Sequence, residues 1–367
     1  DWKTLVFNYL SALREYDRTM NEESLKATVN TDQGEAYIPK NLSSDRVPEA
    51  LKARAKERGH RVVPSNVRFM IASVDIQKHR FVVQVHGITR TKDIVVIDRF
   101  DVQKSRREDR VAGGQSWVNP GAYAEDWKTL VDEVMLKTYE LGDGSGRKMA
   151  IKHTYCDSGG RAGVTANAYN FYRWLRWGDS DEEKDPEETE EGVYEWTPGL
   201  AGRFTLLKGA STKEHPRVKL SFPDSQRKDR NAGARGEVPV LFINTNTIKD
   251  MLDNMLNRTD PGGQVEFPNW LDDNFFIELT VEVKDKVKNV WTNPNNFRNE
   301  SWDLLVYCIA GTLTHDIGLE HLDFGDPPGW AEQWDANDLV FDPAIADKPF
   351  QGDGKKRSLS DLAQNLA

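Results

Sequence analysis

The chain has 367 residues, of which 38% are hydrophobic and 10% aromatic, a composition that allows a sizeable core and excludes a mostly disordered protein. No apolar run approaches the roughly 18 residues that a membrane-spanning helix needs. The two cysteines, Cys156 and Cys308, give neither a disulfide framework nor a metal-ligand spacing, which suits a reducing cytoplasm. The chain begins with Asp1 and carries no signal peptide, so we expect a fragment of a longer polypeptide.

The net charge of −10 is unevenly distributed along the chain. Residues 179–191, DSDEEKDPEETEE, carry −8 and residues 316–367 carry −7, so the remainder is mildly basic. A mildly basic body with two acidic appendages is compatible with phosphate binding on one face. We expect residues 179–191 to form a solvated loop, with DNA mimicry or binding of a basic partner as the alternatives.

In the first two thirds of the chain, strands and helices alternate irregularly. Residues 1–30 predict a pair of helices, and residues 31–66 are polar and interrupted by proline. Apolar runs separated by short polar turns then predict three antiparallel strands at 68–75, 80–88 and 93–101. Apolar spacing and aromatic content further predict a helix at 123–138, a strand from 148 to Asp157, a helix at 163–177 and a strand at 203–211.

The last third adds a strand and two helices. Residues 238–256 predict a strand followed by a helix capped near Asn244 or Thr245, and residues 299–315 predict a strongly apolar helix. This mixed order predicts an α/β sheet with helices on its faces. We divide the chain into an N-terminal helical and linker segment (1–66), a main domain (67–315) with the acidic insertion 179–191, and an extended acidic C-terminal tail (316–367).

Three acids stand out by position: Asp75 and Asp157 each close a predicted strand, and Asp303 lies in the first turns of the late helix. Strand ends of an α/β sheet face one crevice, so these side chains are candidates for a shared site. Three carboxylates in one cleft need a cation between them, and oxygen ligands suit Mg²⁺ or Mn²⁺. The alternative for each acid alone is a turn former, a helix cap or a first-turn helix charge.

Other candidate motifs in the sequence do not indicate a functional site. GDGSGRK at 142–148 lacks the Lys-Ser/Thr pair of a phosphate-binding loop and leads into a strand, so it predicts a flexible turn. His79 and His153 lie near the predicted cleft, but we expect a solvated or core role for both. Neither cysteine is placed as a nucleophile.

Several segments, in order, resemble the large terminase subunit of tailed phages, in its lambda-like branch, and specifically its C-terminal nuclease part. The first acidic motif is SVDIQKHRFVVQVHG, with Asp75, Gln77 and Arg80, and the second is CDSGG. The other matching segments are LKATVNTDQGEAY, LLKGAS, FFIELTVE, RNESWDLLVYCIAG and KKRSLSDLAQNLA, of which FFIELTVE matches a helix of the family. The resemblance covers residues 26–315 and the tail.

The resemblance implies a ribonuclease H-like nuclease domain that cuts double-stranded DNA. It implies that Asp75, Asp157 and Asp303 bind two Mg²⁺ or Mn²⁺ ions, with Glu300 as a weaker candidate ligand and a solvated charge as its alternative. Lys208 either approaches the scissile phosphate or caps the sheet edge. Gln77 and Arg80 are expected to support the site or the fold.

Two features depart from the family pattern. The ATP-binding loop of the packaging motor is absent, so we expect an isolated nuclease domain, and the acidic insertion 179–191 has no counterpart. In contrast to the acidic insertion, the loop at 224–236 is basic, and it either contacts the DNA backbone or is simply an exposed loop. The basic residues of this loop are Arg227, Lys228, Arg230 and Arg235.

The resulting hypothesis is a metal-dependent endonuclease that cuts concatemeric viral DNA during genome packaging. The implied partners are double-stranded DNA, the terminase small subunit, the portal protein through the C-terminal tail, and the ATPase domain of the full-length protein, with no membrane. The implied location is the host cytoplasm, at the procapsid. The alternatives are a ribonuclease H-like resolvase or recombinase and a non-catalytic portal-docking module.

Overall fold

The structure, a computed structural model, describes residues 1–35, 37, 46–107, 116–178, 199–211, 214–225, 233–258, 260, 262–285 and 288–345. Its helices are α1 Trp2–Thr19, α2 Glu23–Asp32, α3 Pro48–Lys52, α4 Val164–Trp177, α5 Thr245–Asn257, α6 Asp273–Glu278 and α7 Glu300–Thr312. Its strands are β1 Val62–Val63, β2 Val67–Gln77, β3 Arg80–Thr89, β4 Ile94–Val102, β5 Thr138–Leu141, β6 Lys148–Asp157, β7 Phe204–Gly209, β8 Val218–Ser221, β9 Val240–Ile243, β10 Val265–Glu266, β11 Val283–Asp285, β12 Val290–Thr292 and β13 Val340–Phe341.

One mixed sheet dominates the described residues, with the main order β10-β4-β3-β2-β6-β7-β9-β8. The hairpin strands β2, β3 and β4 pair antiparallel, whereas β2, β6, β7 and β9 pair parallel. The predicted mixed α/β sheet flanked by helices is thus confirmed, and its order is consistent with a ribonuclease H-like fold. The carboxyl ends of β2, β4, β6 and β7 therefore lie at one edge, together with the amino end of β3.

The central strands are buried on both faces because helices cover them. Residues from Val67 to Asp75 in β2 are almost all buried, as expected of an apolar run at the middle of a sheet. Helix α7 packs on β2, β3 and β6 and also contacts α5 and α6, so apolar residues surround it. The predicted helical N-terminal segment is confirmed by α1 and α2, which enclose a small separate core of Ala12, Tyr16 and Leu25.

Two predicted helices are shorter or less regular than expected. Residues 123–138 form a 3-10 turn at Glu125–Lys128 and a π-helical turn at Val131–Met135 before β5 begins. Their apolar side chains are nevertheless buried, as the spacing predicts. Helix α6 covers only the FFIE part of FFIELTVE, because the following residues enter the β11–β12 hairpin.

The segment after α7 crosses the opposite edge of the sheet. The indole Nε1 of Trp334 donates to the carbonyl of Val67 at 3.0 Å, and the Asn337 amide donates to the carbonyl of Arg68 at 2.8 Å. Strand β13 pairs antiparallel with the start of β6. Residues 317–341 thus pack against the sheet; the division of the chain at residue 315 stays a prediction, and residues 346–367 lie outside the described residues.

Gly311 lets α7 approach β6 closely. A Cβ at this position would overlap the ring of Tyr155, which is fully buried and donates its hydroxyl to the Gly311 carbonyl at 3.1 Å. We expect Gly311→Ala to lower the free energy of unfolding by about 1–2 kcal/mol, because overpacking outweighs the better helix propensity of alanine. Chemical denaturation would measure this, with Gly202→Ala as the control because a Cβ there meets no atom within 4 Å. An equally stable Gly311→Ala variant would contradict the tight helix–sheet contact.

Candidate active site

Two of the three acids lie side by side at the carboxyl edge of the sheet. The parallel register pairs Val74 of β2 with Cys156 of β6, so the next residues, Asp75 and Asp157, are neighbours. Asp157 is the last residue of β6, whereas β2 continues for two residues beyond Asp75, to Gln77, and does not end at Asp75 as predicted, because it stays paired with β3. Both strands are largely buried and fix the backbone positions of the two acids. The sheet therefore presents two carboxylates at one point of the edge.

Asp75 is almost buried, with 9% of its surface exposed. Burial raises the pKa of its carboxyl to about 6, although a hydrogen bond from the Gln77 amide to Oδ2 (2.6 Å) opposes the shift. The negative charges of Asp157 and Glu300 add to the increase. Gln77 thus orients Asp75 while the neighbouring acids disfavour its charge.

Asp157 is in a comparable environment. Burial raises the pKa of its carboxyl, the backbone N–H of Gly159 donates to Oδ1 at 3.2 Å and opposes the shift, and the charge of Asp303 raises the pKa further. The positive charge of Lys208 lowers the pKa of Asp157. Asp157 pairs with Leu207 of β7, so Lys208, the next residue of that strand, lies at the same edge of the sheet. Lys208 is therefore the cation beside the Asp157 carboxylate, and its side chain is half-buried.

Helix α7 brings Asp303 to the same edge. Its Oδ2 accepts a hydrogen bond from the Asn299 amide at 2.9 Å, and its Oδ1 lies 3.4 Å from Lys249 Nζ. Burial raises the pKa of Asp303 to about 6, Lys249 opposes this, and the charges of Glu282 and Asp75 increase it. The structure thus brings Asp75, Asp157 and Asp303 within electrostatic reach of one another.

Three further residues, Lys249, Glu282 and Tyr307, complete this cluster, although no motif in the sequence marked them as site residues. Lys249 Nζ lies 2.7 Å from both carboxylate oxygens of Glu282, and both side chains are buried. Tyr307 follows Asp303 by one helical turn, and burial together with the charges of Asp157 and Asp303 raises the pKa of its hydroxyl. Two features of the sequence could have indicated two of them. Lys249 is a charged residue within the apolar stretch of α5, and Tyr307 lies four residues after Asp303 on α7.

Glu300 is held by two guanidinium groups rather than facing the other acids alone. Arg298 Nε donates to Oε2 at 3.0 Å, and Arg80 lies 3.4 Å from Oε1. Burial by itself would raise the pKa of Glu300, but the hydrogen bond and charge of Arg298 lower it. These ion pairs occupy both carboxylate oxygens and give Arg80 a supporting position.

Asp75, Asp157 and Asp303 have the ligand chemistry of a divalent-cation site, but their side chains are not arranged around one metal position. Within the described residues, no group of three or more His, Cys, Asp or Glu side chains is arranged to hold a metal ion. Asp303 is instead engaged by Lys249 and Asn299. Nevertheless, three carboxylates with only oxygen donors and mutual repulsion fit a hard cation such as Mg²⁺ or Mn²⁺.

The remaining predicted residues are buried in the core, exposed at the surface or outside the described part of the chain. His153 is buried beside the Thr205 hydroxyl, and burial lowers the pKa of its imidazole to about 3. His79 is exposed in the β2–β3 turn, and both cysteines are buried as free thiols. Arg235 is exposed in the turn before β9, whereas Arg227, Lys228, Arg230 and the acidic insertion 179–191 lie outside the described residues.

Comparison with known proteins identifies the family. A model of the terminase large subunit gpA endonuclease domain matches residues 1–322. The chain belongs to this family. It is 26% identical over 319 residues to the terminase large subunit of Escherichia phage lambda, covering 82% of this chain and 41% of that protein. It is 23% identical over 327 residues to the terminase large subunit of Enterobacteria phage P21, covering 84% of this chain and 41% of that protein.

This gpA-type chain therefore spans about two fifths of the length of the curated relatives it matches. No solved structure matches it significantly. In the described ranges, none of the helices combines the length and apolar character needed to cross a membrane.

Proposed function

We propose that the chain is a metal-dependent endonuclease that cuts double-stranded concatemeric viral DNA during genome packaging. The observation that carries the proposal is the convergence of Asp75, Asp157 and Asp303 at one sheet edge in a chain of the terminase endonuclease family. The same acids would serve a resolvase, but no feature of the described residues favours branched DNA.

Asp75, Asp157 and Asp303 would hold two Mg²⁺ or Mn²⁺ ions, which supply charge neutralisation at the phosphodiester and a nucleophilic water. Gln77, the Gly159 N–H and Asn299 orient the three carboxylates through the hydrogen bonds described above. Lys208 would place its ammonium group against the scissile phosphate. Glu300, held by Arg80 and Arg298, would stabilise the amino end of α7 rather than bind metal.

Lys249 has a separate role in this scheme. Its ammonium group contacts Glu282 and Asp303, so it neutralises part of the negative charge that burial makes unfavourable. It would thereby keep the Asp303 carboxylate ionised and available before a cation binds.

The partners follow from the proposed role. We propose that the chain acts on double-stranded DNA with the terminase small subunit, the portal protein and the ATPase domain of a longer terminase polypeptide, in the host cytoplasm at the procapsid. Arg227, Lys228, Arg230 and Arg235 would contact the DNA backbone.

The test is cleavage of supercoiled plasmid with Mg²⁺ or Mn²⁺. We expect nicking and linearisation that EDTA abolishes, and a loss on the order of 10²–10³-fold or more in Asp157→Asn and Asp303→Asn, because each removes an anionic ligand needed to hold the cations that stabilise the transition state. We also expect Mn²⁺ to raise the thermal midpoint of the unsubstituted protein more than that of either variant.

Asp132→Asn is the matched control and should cut at the wild-type rate. Asp132 is exposed and forms a surface ion pair with Arg106 at 2.8 Å. Failure to cut with either metal would reject the nuclease, and wild-type rates in both site variants would reject the assignment of the acids. A strong preference for four-way junctions over linear duplex would support the resolvase instead.

A further inference from the structure

A second cleft opens at the carboxyl end of β2, next to Gln77. It has a volume of about 750 Å³ and lies between the β2–β3 turn, the segment after β4 and residues 116–123. Among its described lining residues none is acidic, although the whole chain carries a net charge of −10. The cations that line it are Lys78, Arg80, Arg107 and Arg161.

This cleft is continuous with the acid site. Gln77, Lys78 and Arg161 also line a smaller cleft of about 420 Å³ that reaches Asp157. Gln77 in addition donates its hydrogen bond to Asp75. A strand lying in the larger cleft would therefore lead directly to the carboxylates.

Two aromatic side chains border the cleft and remain largely exposed. Trp117 is 52% exposed and Tyr123 is 44% exposed. The backbone on either side of Trp117 is fixed, because Ser116 and Val118 exchange hydrogen bonds with the segment that follows β4 at 2.8 and 2.9 Å. An indole presented from a fixed backbone is a ready stacking surface for an unpaired base.

The buried carboxylate of Asp126 holds several residues on the side of the cleft that carries Trp117 and Tyr123. Asp126 accepts hydrogen bonds from the Ser105 hydroxyl (2.5 Å), Arg107 Nε (2.8 Å) and the Asn119 N–H (2.6 Å). The Arg107 guanidinium lies 3.5 Å from the centre of the Tyr123 ring. Arg107 is thus neutralised by Asp126 and held over the ring, so it adds to the stacking surface rather than supplying a free charge.

The unneutralised charge of the cleft comes from two residues. Arg80 is paired with Asp101 and Glu300 at 3.3 and 3.4 Å. Lys78 and Arg161 are exposed, and within the described part of the chain neither has a carboxylate partner. They stand where the two clefts meet, which suits contact with phosphate.

We propose that this cleft binds an unpaired stretch of DNA that flanks the scissile phosphate, an inference that rests on the proposed nuclease function. Bases stack on Trp117 and on the Tyr123–Arg107 pair, and Lys78 and Arg161 contact the phosphates. An intact duplex does not satisfy these features, because its base faces are hidden within the stack. The cleft therefore selects DNA that is opened or single-stranded next to the cut.

The test is DNA binding in EDTA, where no cleavage competes. Fluorescence anisotropy would compare a blunt duplex with the same duplex carrying a single-stranded extension. We expect tighter binding of the extended probe, and a 5- to 100-fold loss (about 1–3 kcal/mol for one stacked base) for that probe alone in Trp117→Ala. Trp117→Tyr should retain most of the affinity because it keeps an aromatic face.

Trp177→Ala is the matched control, because Trp177 is also 52% exposed but lies at the end of α4, away from the lining of the cleft. Lys78→Ala and Arg161→Ala should each reduce the salt dependence of binding by about one phosphate contact, whereas Lys219→Ala on β8 should not. Equal losses for both probes, or no loss, in Trp117→Ala would overturn the proposal.

The two inferences fail separately. Selective loss in Trp117→Ala, combined with no cleavage by the unsubstituted protein, would support the strand-binding cleft and reject the nuclease. Plasmid cleavage without any selective loss would reject the cleft and leave the nuclease in place.

Discussion

Replacing Asp75 with Asn is expected to abolish DNA cleavage and, in the absence of divalent cations, to stabilise the folded protein. The loss of cleavage follows from removing a proposed metal ligand and should reach on the order of 10²–10³-fold or more. The gain in stability follows from the environment of the carboxyl, which burial and the charges of Asp157 and Glu300 make unfavourable when ionised. Opposite effects on the two properties would distinguish a functional acid from a structural one.

The stability effect has a defined pH dependence. The pKa of Asp75 is raised from 3.8 to about 6, so the folded protein binds more protons than the unfolded chain between these values. The contribution of Asp75 to stability therefore falls as the pH rises from about 4 to about 6 and stays low above. Asp75→Asn removes this fall, so its advantage should be about 1–3 kcal/mol at pH 7.5 and should shrink toward pH 4.

Thermal denaturation in EDTA between pH 5 and 8, together with plasmid cleavage, would measure both effects. The same substitution at the exposed Asp132 should leave cleavage unchanged and alter stability by less than about 1 kcal/mol. An Asp75→Asn variant that is less stable at neutral pH would show that the carboxylate is stabilising without a cation.

Replacing Arg46 with Ala is expected to cause a large loss of stability, about 3–5 kcal/mol. Arg46 Nε lies 2.7 Å from Asp253, and the two side chains are only 7% and 2% exposed. The guanidinium also donates to the carbonyls of Leu279 and Glu282 at 2.9 Å and lies 4.3 Å from the centre of the Trp302 ring. Its removal leaves a buried carboxyl and two carbonyls without their partner.

Chemical denaturation would measure this loss. The double variant Arg46→Leu with Asp253→Leu should recover most of it, because no unpaired charge then remains buried. The exposed ion pair between Arg106 and Asp132 provides the control, since Arg106→Ala should lower the free energy of unfolding by less than about 1 kcal/mol. A loss below about 1 kcal/mol in Arg46→Ala would mean that water replaces the guanidinium at little cost.

The sequence predicts the local elements of this fold well, because their hydrophobic periodicity is strong. The three-strand meander, the strand ending at Asp157, the aromatic helix α4 and the Asn244 cap of α5 all appear in the structure. Strands β10 and β13 have only two residues each and owe their existence to pairing with β4 and β6. Nothing in so short a segment encodes that pairing, so it could not be predicted.

The same distinction applies to the candidate site. Asp75 and Asp157 could be singled out because each ends an apolar run that predicts a strand, and Asp303 because it lies in the first turn of a recognisable helix. Lys249 and Glu282 come from a helix and a loop whose approach to α7 depends on tertiary packing. The ion pairs of Glu300 with Arg80 and Arg298 likewise appear only in the folded chain, and they favour a structural role for that acid.

The segment that crosses the far edge of the sheet has a practical consequence for dissecting the protein. A shortened version ending at residue 315 would keep all three acids, yet it would lose the donors of Trp334 and Asn337 to the first residues of β2 and the pairing of β13 with β6. It would also uncover Phe69, whose ring meets Trp330 edge-on at 4.9 Å. An autonomous catalytic fragment should therefore extend beyond Phe341, and inactivity of a shorter one would report lost folding rather than lost chemistry.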